Sequence, residues 1–138
     1  MSIGFNEHDI KSIASNDGGS KTLQTVIDLY DQLIKIEFTN QDIKSIASNN
    51  GGSITLQTVI DLHEQLTKIG LTNQDIKSIA SNGGGSITLK TVIDLHEQLI
   101  KIGFTNQDIK SIASNDGGSI TLQTVIKLYE KLLGTARY

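Results

Sequence analysis

The sequence predicts an all-α fold, an α-solenoid of four two-helix units, from three observations. The 138-residue chain repeats every 33 residues, with Phe5–Glu37, Phe38–Gly70, Leu71–Gly103 and Phe104–Ala136 tiling it almost completely. A period of this length marks stacked supersecondary units. Within each unit, apolar residues recur at helical spacing on both sides of a Gly-Gly pair. A single helix pair of this size cannot bury its own apolar stripe, whereas four stacked pairs share one continuous core. The second and third units differ only at Phe38/Leu71, Asn50/Gly83, Gln57/Lys90 and Thr67/Ile100, a near-identity that points to recent duplication or engineering.

The first helix of a unit opens at Thr39-Asn40-Gln41-Asp42, where Thr39 can cap the helix and Asp42 can reach back to it. Thr72 with Asp75 and Thr105 with Asp108 repeat this capping box, and Asn6 with Asp9 is its variant in the first unit. Ile43, Ile46 and Ala47 mark the apolar face of a short helix ending near Ser48. Gly51-Gly52 then breaks the run, because a glycine inside a helix costs about 1 kcal/mol. The second helix is expected to start near Ser53, whose hydroxyl suits an N-cap. Its apolar stripe is Ile54, Leu56, Val59, Ile60, Leu62, Leu66 and Ile69. Glu64 and Lys68, like Glu97 and Lys101, stand four apart in the favourable order for an ion pair. Gly70 and Gly103 supply left-handed stops before the next unit. The outer units carry Tyr30 and Tyr129 in place of His63 and His96, and the last closes on Leu133-Gly134-Thr135-Ala136. Both ends are therefore expected to act as caps, with terminal helices that fray.

Composition narrows the function. The absence of cysteine excludes disulfides and thiolate metal sites. No apolar run is long enough to span a bilayer, and Met1-Ser2-Ile3-Gly4 is too short for a signal peptide. A soluble, intracellular chain with no membrane partner is expected. The net charge of −3 argues against a sequence-blind nucleic-acid binder, which would be basic. No Ser/His/Asp or paired-carboxylate arrangement stands apart from the repeat, so neither an enzyme nor a small-molecule substrate or cofactor is expected.

One stretch holds a variable residue in a constant frame. Ser15-Asn16-Asp17-Gly18-Gly19-Ser20 returns in every unit, and only the residue before Gly-Gly changes: Asp17, Asn50, Gly83, Asp116. The pairs Gly18-Gly19, Gly51-Gly52, Gly84-Gly85 and Gly117-Gly118 are expected to expose N–H groups at a helix N-terminus, where the dipole favours an anion. One such terminus per unit makes a ladder suited to a polyphosphate backbone. Beside it the variable residue has base chemistry. Asp accepts from the cytosine amino group, Asn can donate to the acceptor edge of a purine, and Gly leaves room for the thymine methyl. The same stretch also reads as plain turn chemistry. A Walker-type phosphate loop does not fit, because Gly83-Gly84-Gly85-Ser86 has no lysine before the hydroxyl residue and no preceding strand.

The run Ile46-Ala47-Ser48-Asn49-Asn50-Gly51-Gly52, the following Thr55-Leu56-Gln57-Thr58-Val59 and the period together resemble transcription activator-like effector (TALE) repeats. The Phe-Thr-Asn-Gln-Asp-Ile form without proline is most similar to the divergent TALE-like proteins. The resemblance covers Phe5 to Ala136. It implies a right-handed superhelix wrapped in the major groove of double-stranded DNA, reading one base per unit on one strand. It further implies that Asn16, Asn49, Asn82 and Asn115 brace the loop by bonding the carbonyl of Ser12, Ser45, Ser78 or Ser111. Asp17, Asn50, Gly83 and Asp116 would face the bases, giving an expected site 5′-C-G-T-C-3′ with adenine tolerated at the second place. The eight loop glycines and Lys21 would meet phosphates. The chain departs from the family pattern in three ways. Only Lys21 keeps the lysine that usually follows the glycines; Ile54, Ile87 and Ile120 replace it. Asp31, Glu64, Glu97 and Glu130 replace the proline that bends the second helix. No basic region of the kind the effectors use to nucleate binding precedes Phe5. Weak DNA binding by this array is therefore expected. The rival expectation is a structural or protein-interaction scaffold, natural remnant or design, that uses the same stack without nucleic acid.

Two columns receive plainer readings. His63 and His96 should be neighbours in the stack, but Tyr129 stands where a third ligand would be, so packing rather than metal binding is expected. Lys11, Lys44, Lys77 and Lys110 line the first helices, each two residues after an aspartate. A solvated face is expected there over phosphate contact.

Overall fold

The computed structural model describes residues 3–49 and 51–133. Among the described residues eight helices follow one another: α1 (Glu7–Ala14), α2 (Gly19–Lys35), α3 (Asn40–Ala47), α4 (Gly52–Lys68), α5 (Asn73–Ala80), α6 (Gly85–Lys101), α7 (Asn106–Ala113) and α8 (Gly118–Leu133). No strand occurs among the described residues. Short helices alternate with long ones at the 33-residue period of the sequence. The long helices stack as α2, α4, α6 and α8, and the short ones form a second row against them. This is a helical repeat solenoid. Ala136, the expected end of the fourth unit, lies outside the described residues.

Each short helix starts where its sequence caps it. Thr39 Oγ1 accepts from the Asp42 N–H at 3.2 Å while the Thr39 N–H donates to the Asp42 carboxylate at 2.8 Å, and the same reciprocal bonds open α5 and α7. Asn6 and Asp9 do this for α1. The long helices begin differently from expectation. The N-cap of α4 is Gly51, in the left-handed region at φ +75°, with no side-chain cap, and Ser53 is already the second helical residue. A glycine with φ > 0 turns the chain at no steric cost, which frees the serine hydroxyl. That hydroxyl crosses to the neighbouring unit instead: Thr25 Oγ1 and Ser53 Oγ lie 2.7 Å apart, Thr91 Oγ1 and Ser119 Oγ 2.8 Å.

The core runs unbroken through the stack. Ile43, Ile46, Leu56, Val59 and Leu66 are fully buried, as are Ile76, Ile79, Leu89, Val92 and Leu99 one unit on. Ile54 does not join them. It falls on the far side of α4 from Leu56, Val59 and Leu66, and with Ile87 and Ile120 is 56%, 61% and 70% exposed. Gly70 and Gly103 take φ of +103° and +101°, and Glu37 adopts +73° at the same place in the first unit.

The units are joined by polar bonds that no single unit reveals. Glu64–Lys68 and Glu97–Lys101 are not among the ion pairs of the described residues. The pairs run between units: Lys44 to Asp9 at 2.9 Å, Lys77 to Asp42 at 2.8 Å and Lys110 to Asp75 at 3.1 Å. Lys44 and Lys77 also sit over the Phe5 and Phe38 rings, 5.6 and 5.4 Å from their centroids. The lysine column is thus neither a solvated face nor a free phosphate clamp, apart from Lys11, which is in no ion pair among the described residues. Burial works against the Asp42 and Asp75 carboxylates, yet bonds from the lysine and the capping threonine outweigh it and hold both below the ordinary value. The Asn6 N–H, with Lys44, lowers Asp9, and the Thr105 N–H lowers Asp108.

The tyrosine and histidine column serves the same purpose. Tyr30 Oη donates to Asn40 Oδ1 at 2.7 Å, and the Nε2 atoms of His63 and His96 meet Asn73 and Asn106 Oδ1 at 2.7 and 2.8 Å. Each of these asparagines turns its Nδ2 to a backbone carbonyl 37 residues back, on Ile3, Ile36 or Ile69. Its oxygen is therefore the acceptor and the histidines carry their proton on Nε2. No three metal-ligating side chains converge among the described residues. No helix there is long and apolar enough to cross a membrane.

Candidate nucleic-acid interface

The loop between the two helices of a unit is closed by its own backbone. In the first unit the Asn16 N–H donates to Ile13 O at 3.2 Å, Gly19 N–H to Asn16 O at 2.9 Å and Thr22 N–H to Gly18 O at 3.0 Å. The other three loops repeat this pattern. The asparagine side chain adds the brace. Asn16, Asn49, Asn82 and Asn115 each donate Nδ2 to the serine carbonyl four residues back, at 3.2, 3.2, 3.2 and 3.1 Å.

A second acceptor links the loops to one another. Asn16 Nδ2 also reaches Ser48 O at 2.5 Å, Asn49 reaches Ser81 O at 2.6 Å, and Asn82 reaches Ser114 O. The serine hydroxyls run alongside, with Ser45 donating to Ser81 at 3.3 Å and Ser78 to Ser114 at 3.1 Å. The four loops therefore form one contiguous row, each tied to the next. On that row Asp17, Gly83 and Asp116 stand exposed. Asn50 lies outside the described residues. Its neighbour Asn49 keeps the brace and Gly51 keeps the left-handed φ found at Gly18, Gly84 and Gly117.

The two glycines of each pair have different roles. Gly18, Gly51, Gly84 and Gly117 are exposed N-caps. Gly19, Gly52, Gly85 and Gly118 are buried, and their N–H groups already donate to the loop asparagine carbonyl at 2.9–3.0 Å. Those four amides are not free for a phosphate, which corrects the expectation that both glycines would present one. These residues are glycine for a packing reason: a Cβ on Gly52 would lie 2.8 Å from the Ala47 oxygen and 2.9 Å from its Cα. Among the described residues, the first-turn donors with no backbone acceptor are the next two N–H groups, Ser20-Lys21, Ser53-Ile54, Ser86-Ile87 and Ser119-Ile120. The bond back to the N-cap carbonyl begins only at Thr22, Thr55, Thr88 and Thr121.

Lys21 is exposed in the first turn of α2. It borders a groove of about 360 Å³ that also holds Ser53, Ile54, Gln57, Asp61 and Lys90. This groove gathers two lysines, from the first and third units, around the free N-terminal donors of α4. Asp61 tempers its charge while accepting from Gln57 Nε2 at 3.0 Å. Sequence reasoning passed over Lys90, noting it only as a substitution of Gln57. The change from an amide to a cation at one position of a nearly constant frame was the available signal. No protein-family model and no curated protein matches this sequence.

Proposed function

We propose that the chain is a non-catalytic, sequence-specific reader of double-stranded DNA, taking one base per unit in the major groove. One observation carries this reading. Exposed residues that differ in hydrogen-bonding character sit on loops with the same bonded frame, and those loops are tied into a row. What changes along the row is a side chain suited to telling bases apart. The likeness to TALE-like repeats supports the register and the right-handed wrap, with Asp17 and Asp116 on cytosine, Asn50 on guanine or adenine and Gly83 beside thymine. Backbone contact falls to the free N–H groups at the start of each long helix, helped by Lys21 and Lys90.

Magnitudes set what such an array can do. Each good base contact discriminates by about 1–3 kcal/mol. Affinity comes largely from neutralising phosphates, and even basic proteins bind non-specifically at only about 10⁻⁴–10⁻⁶ M. An array of net charge −3 binds weakly and selectively. A second reading, a protein-interaction scaffold, is favoured by the exposed isoleucines Ile54, Ile87 and Ile120, which occupy the places a phosphate reader would fill with lysine. Fluorescence anisotropy with duplexes carrying 5′-CGTC-3′ or the same bases permuted, at low and at physiological salt, separates the two. Preference for the first duplex supports the reader. Equal or absent binding by a chain whose circular dichroism is helical supports the scaffold.

A further inference from the structure

We infer that the two ends of the chain are the complementary halves of the junction that joins its own units, so that one copy docks head-to-tail on a second copy. The N-terminal end exposes two isoleucines whose counterparts are fully buried (for Ile10) or partly buried (Ile60, Ile93 and Ile126, for Ile27) in the later units. Ile10 and Ile27 are 46% and 62% exposed, whereas Ile43, Ile76 and Ile109, the counterparts of Ile10, are 0%. These side chains line an apolar groove of about 440 Å³ with Ile3, Phe5, Leu23 and Val26. The other end exposes the opposite half. Leu132 is 76% exposed while its counterparts Leu33, Leu66 and Leu99 are 0%, and Ile112 and Val125 are only partly buried where Ile79 and Val92 are fully so.

The polar ladders end in matching halves as well. Asp9, Asp42 and Asp75 each hold the lysine of the following unit. That leaves Asp108 at one end and Lys11 at the other without an ion-pair partner among the described residues. Asn115 bonds Ser111 O but lacks the second acceptor that Asn16, Asn49 and Asn82 find one unit on. Ser15 O of a second copy supplies it. One contact of the junction is altered: Glu7 stands where Asn40, Asn73 and Asn106 donate to a carbonyl, and the Tyr129 hydroxyl can donate to its carboxylate instead. The occupant is a second copy because the apolar and charged halves match those of the three junctions already built in the chain. The interface is heterologous, so association continues past the dimer rather than closing, and it carries the row of loops across the joint.

Sedimentation velocity of the intact chain from low micromolar to near-millimolar concentration is the test. The average mass is expected to rise with concentration beyond two copies. Ile27→Arg blocks one face and Leu132→Arg the other, so each variant alone is expected to stay monomeric, and an equimolar mixture to stop at a dimer. Lys11→Asp and Asp108→Lys should each weaken association severalfold. Mixing the two should restore it past the dimer, because every junction between unlike copies then pairs opposite charges, which a merely adhesive end would not do. All four positions are exposed or partly exposed, and helical circular dichroism checks that each variant folds. A wild-type chain monomeric throughout, a blocked variant that still associates, or a mixture that stays monomeric would overturn the inference.

Discussion

Replacing Asn49 by alanine tests whether the loops are held singly or as a row. Asn49 Nδ2 makes two bonds, to Ser45 O at 3.2 Å and across the junction to Ser81 O at 2.6 Å. Among the described residues Asn115 makes only the first kind, at 3.1 Å. A net hydrogen bond contributes about 0.5–1.5 kcal/mol, and stranding a partly buried acceptor adds to that. Asn49→Ala should therefore cost about 2 kcal/mol and Asn115→Ala about 0.5–1 kcal/mol. In urea, with a slope of about 1–3 kcal/mol per molar, the two midpoints should differ by about 0.5–1 M. Asn16→Ala controls for position at a chain end, since Asn16 sits in a terminal unit but keeps both bonds. It should behave like Asn49→Ala. Equal costs at all three positions would refute the cross-junction brace, and a low cost at both ends would assign the difference to fraying.

Three further outcomes follow from the geometry. Gly52→Ala drives a Cβ to 2.8–2.9 Å from backbone atoms of Ile46 and Ala47 and should cost about 1–3 kcal/mol by overpacking, whereas at Gly51 the space is open and only left-handed strain of about 1 kcal/mol opposes the change; urea midpoints in the reverse order would contradict this. Asp42 and Asp75 titrate below their ordinary value when folded, so their stabilisation is present above the unfolded carboxylate value of about 3.9 and is lost as pH falls through the folded one. The urea midpoint should be level from neutral pH to about 5 and drop below about 4, and Asp42→Asn with Asp75→Asn should make that acid limb shallower. Lysine at Ile54, Ile87 and Ile120, all exposed first-turn positions, should tighten DNA binding and steepen its salt dependence by up to about 0.9 per phosphate contact; an unchanged slope would remove the first-turn amides from the phosphate path.

What the sequence revealed and what it hid divide by distance along the chain. The caps at Thr39, Thr72 and Thr105 were legible because a capping box closes over three residues. The buried faces of Ile43-Ile46-Ala47 and Leu56-Val59-Leu66 followed from helical period alone. Ser53 was misplaced because Gly51 and Ser53 are both locally competent to begin a helix, and the bond that decides between them comes from Thr25, 28 residues away. Lys44 looked solvated beside Asp42 on its own helix, yet its partner is Asp9 in the previous unit. The second glycine of each pair was recognised as a helix breaker, but its need to lie against Ala47 arises only from the packing of α3 on α4. The tip residue of a loop could be seen to vary; that the loops touch could not, since Ser48 and Ser81 offer carbonyls, which every residue has.

The direction of that contact bears on how the array would read. Each asparagine reaches forward, so a loop is held by the unit after it. The first loop's asparagine is tied forward at Ser48; the fourth's, among the described residues, bonds only within its own unit, at Ser111 O. Asp17 and Asp116 are the same side chain in the same local frame, and under the proposed register both accept from a cytosine amino group. Preorganisation then distinguishes them: a loosely held acceptor must be ordered on binding, which subtracts from what the contact contributes. Replacing the first cytosine of 5′-CGTC-3′ should cost toward the upper part of about 1–3 kcal/mol, and replacing the last should cost toward the lower part. Competition anisotropy with the two singly substituted duplexes measures both values in one experiment. Appending a fifth unit, whose first-helix serine carbonyl would receive Asn115, should raise the second value to the first. If the two cytosines are discriminated equally in the four-unit chain, the loops read independently and the bond between neighbours serves the fold alone.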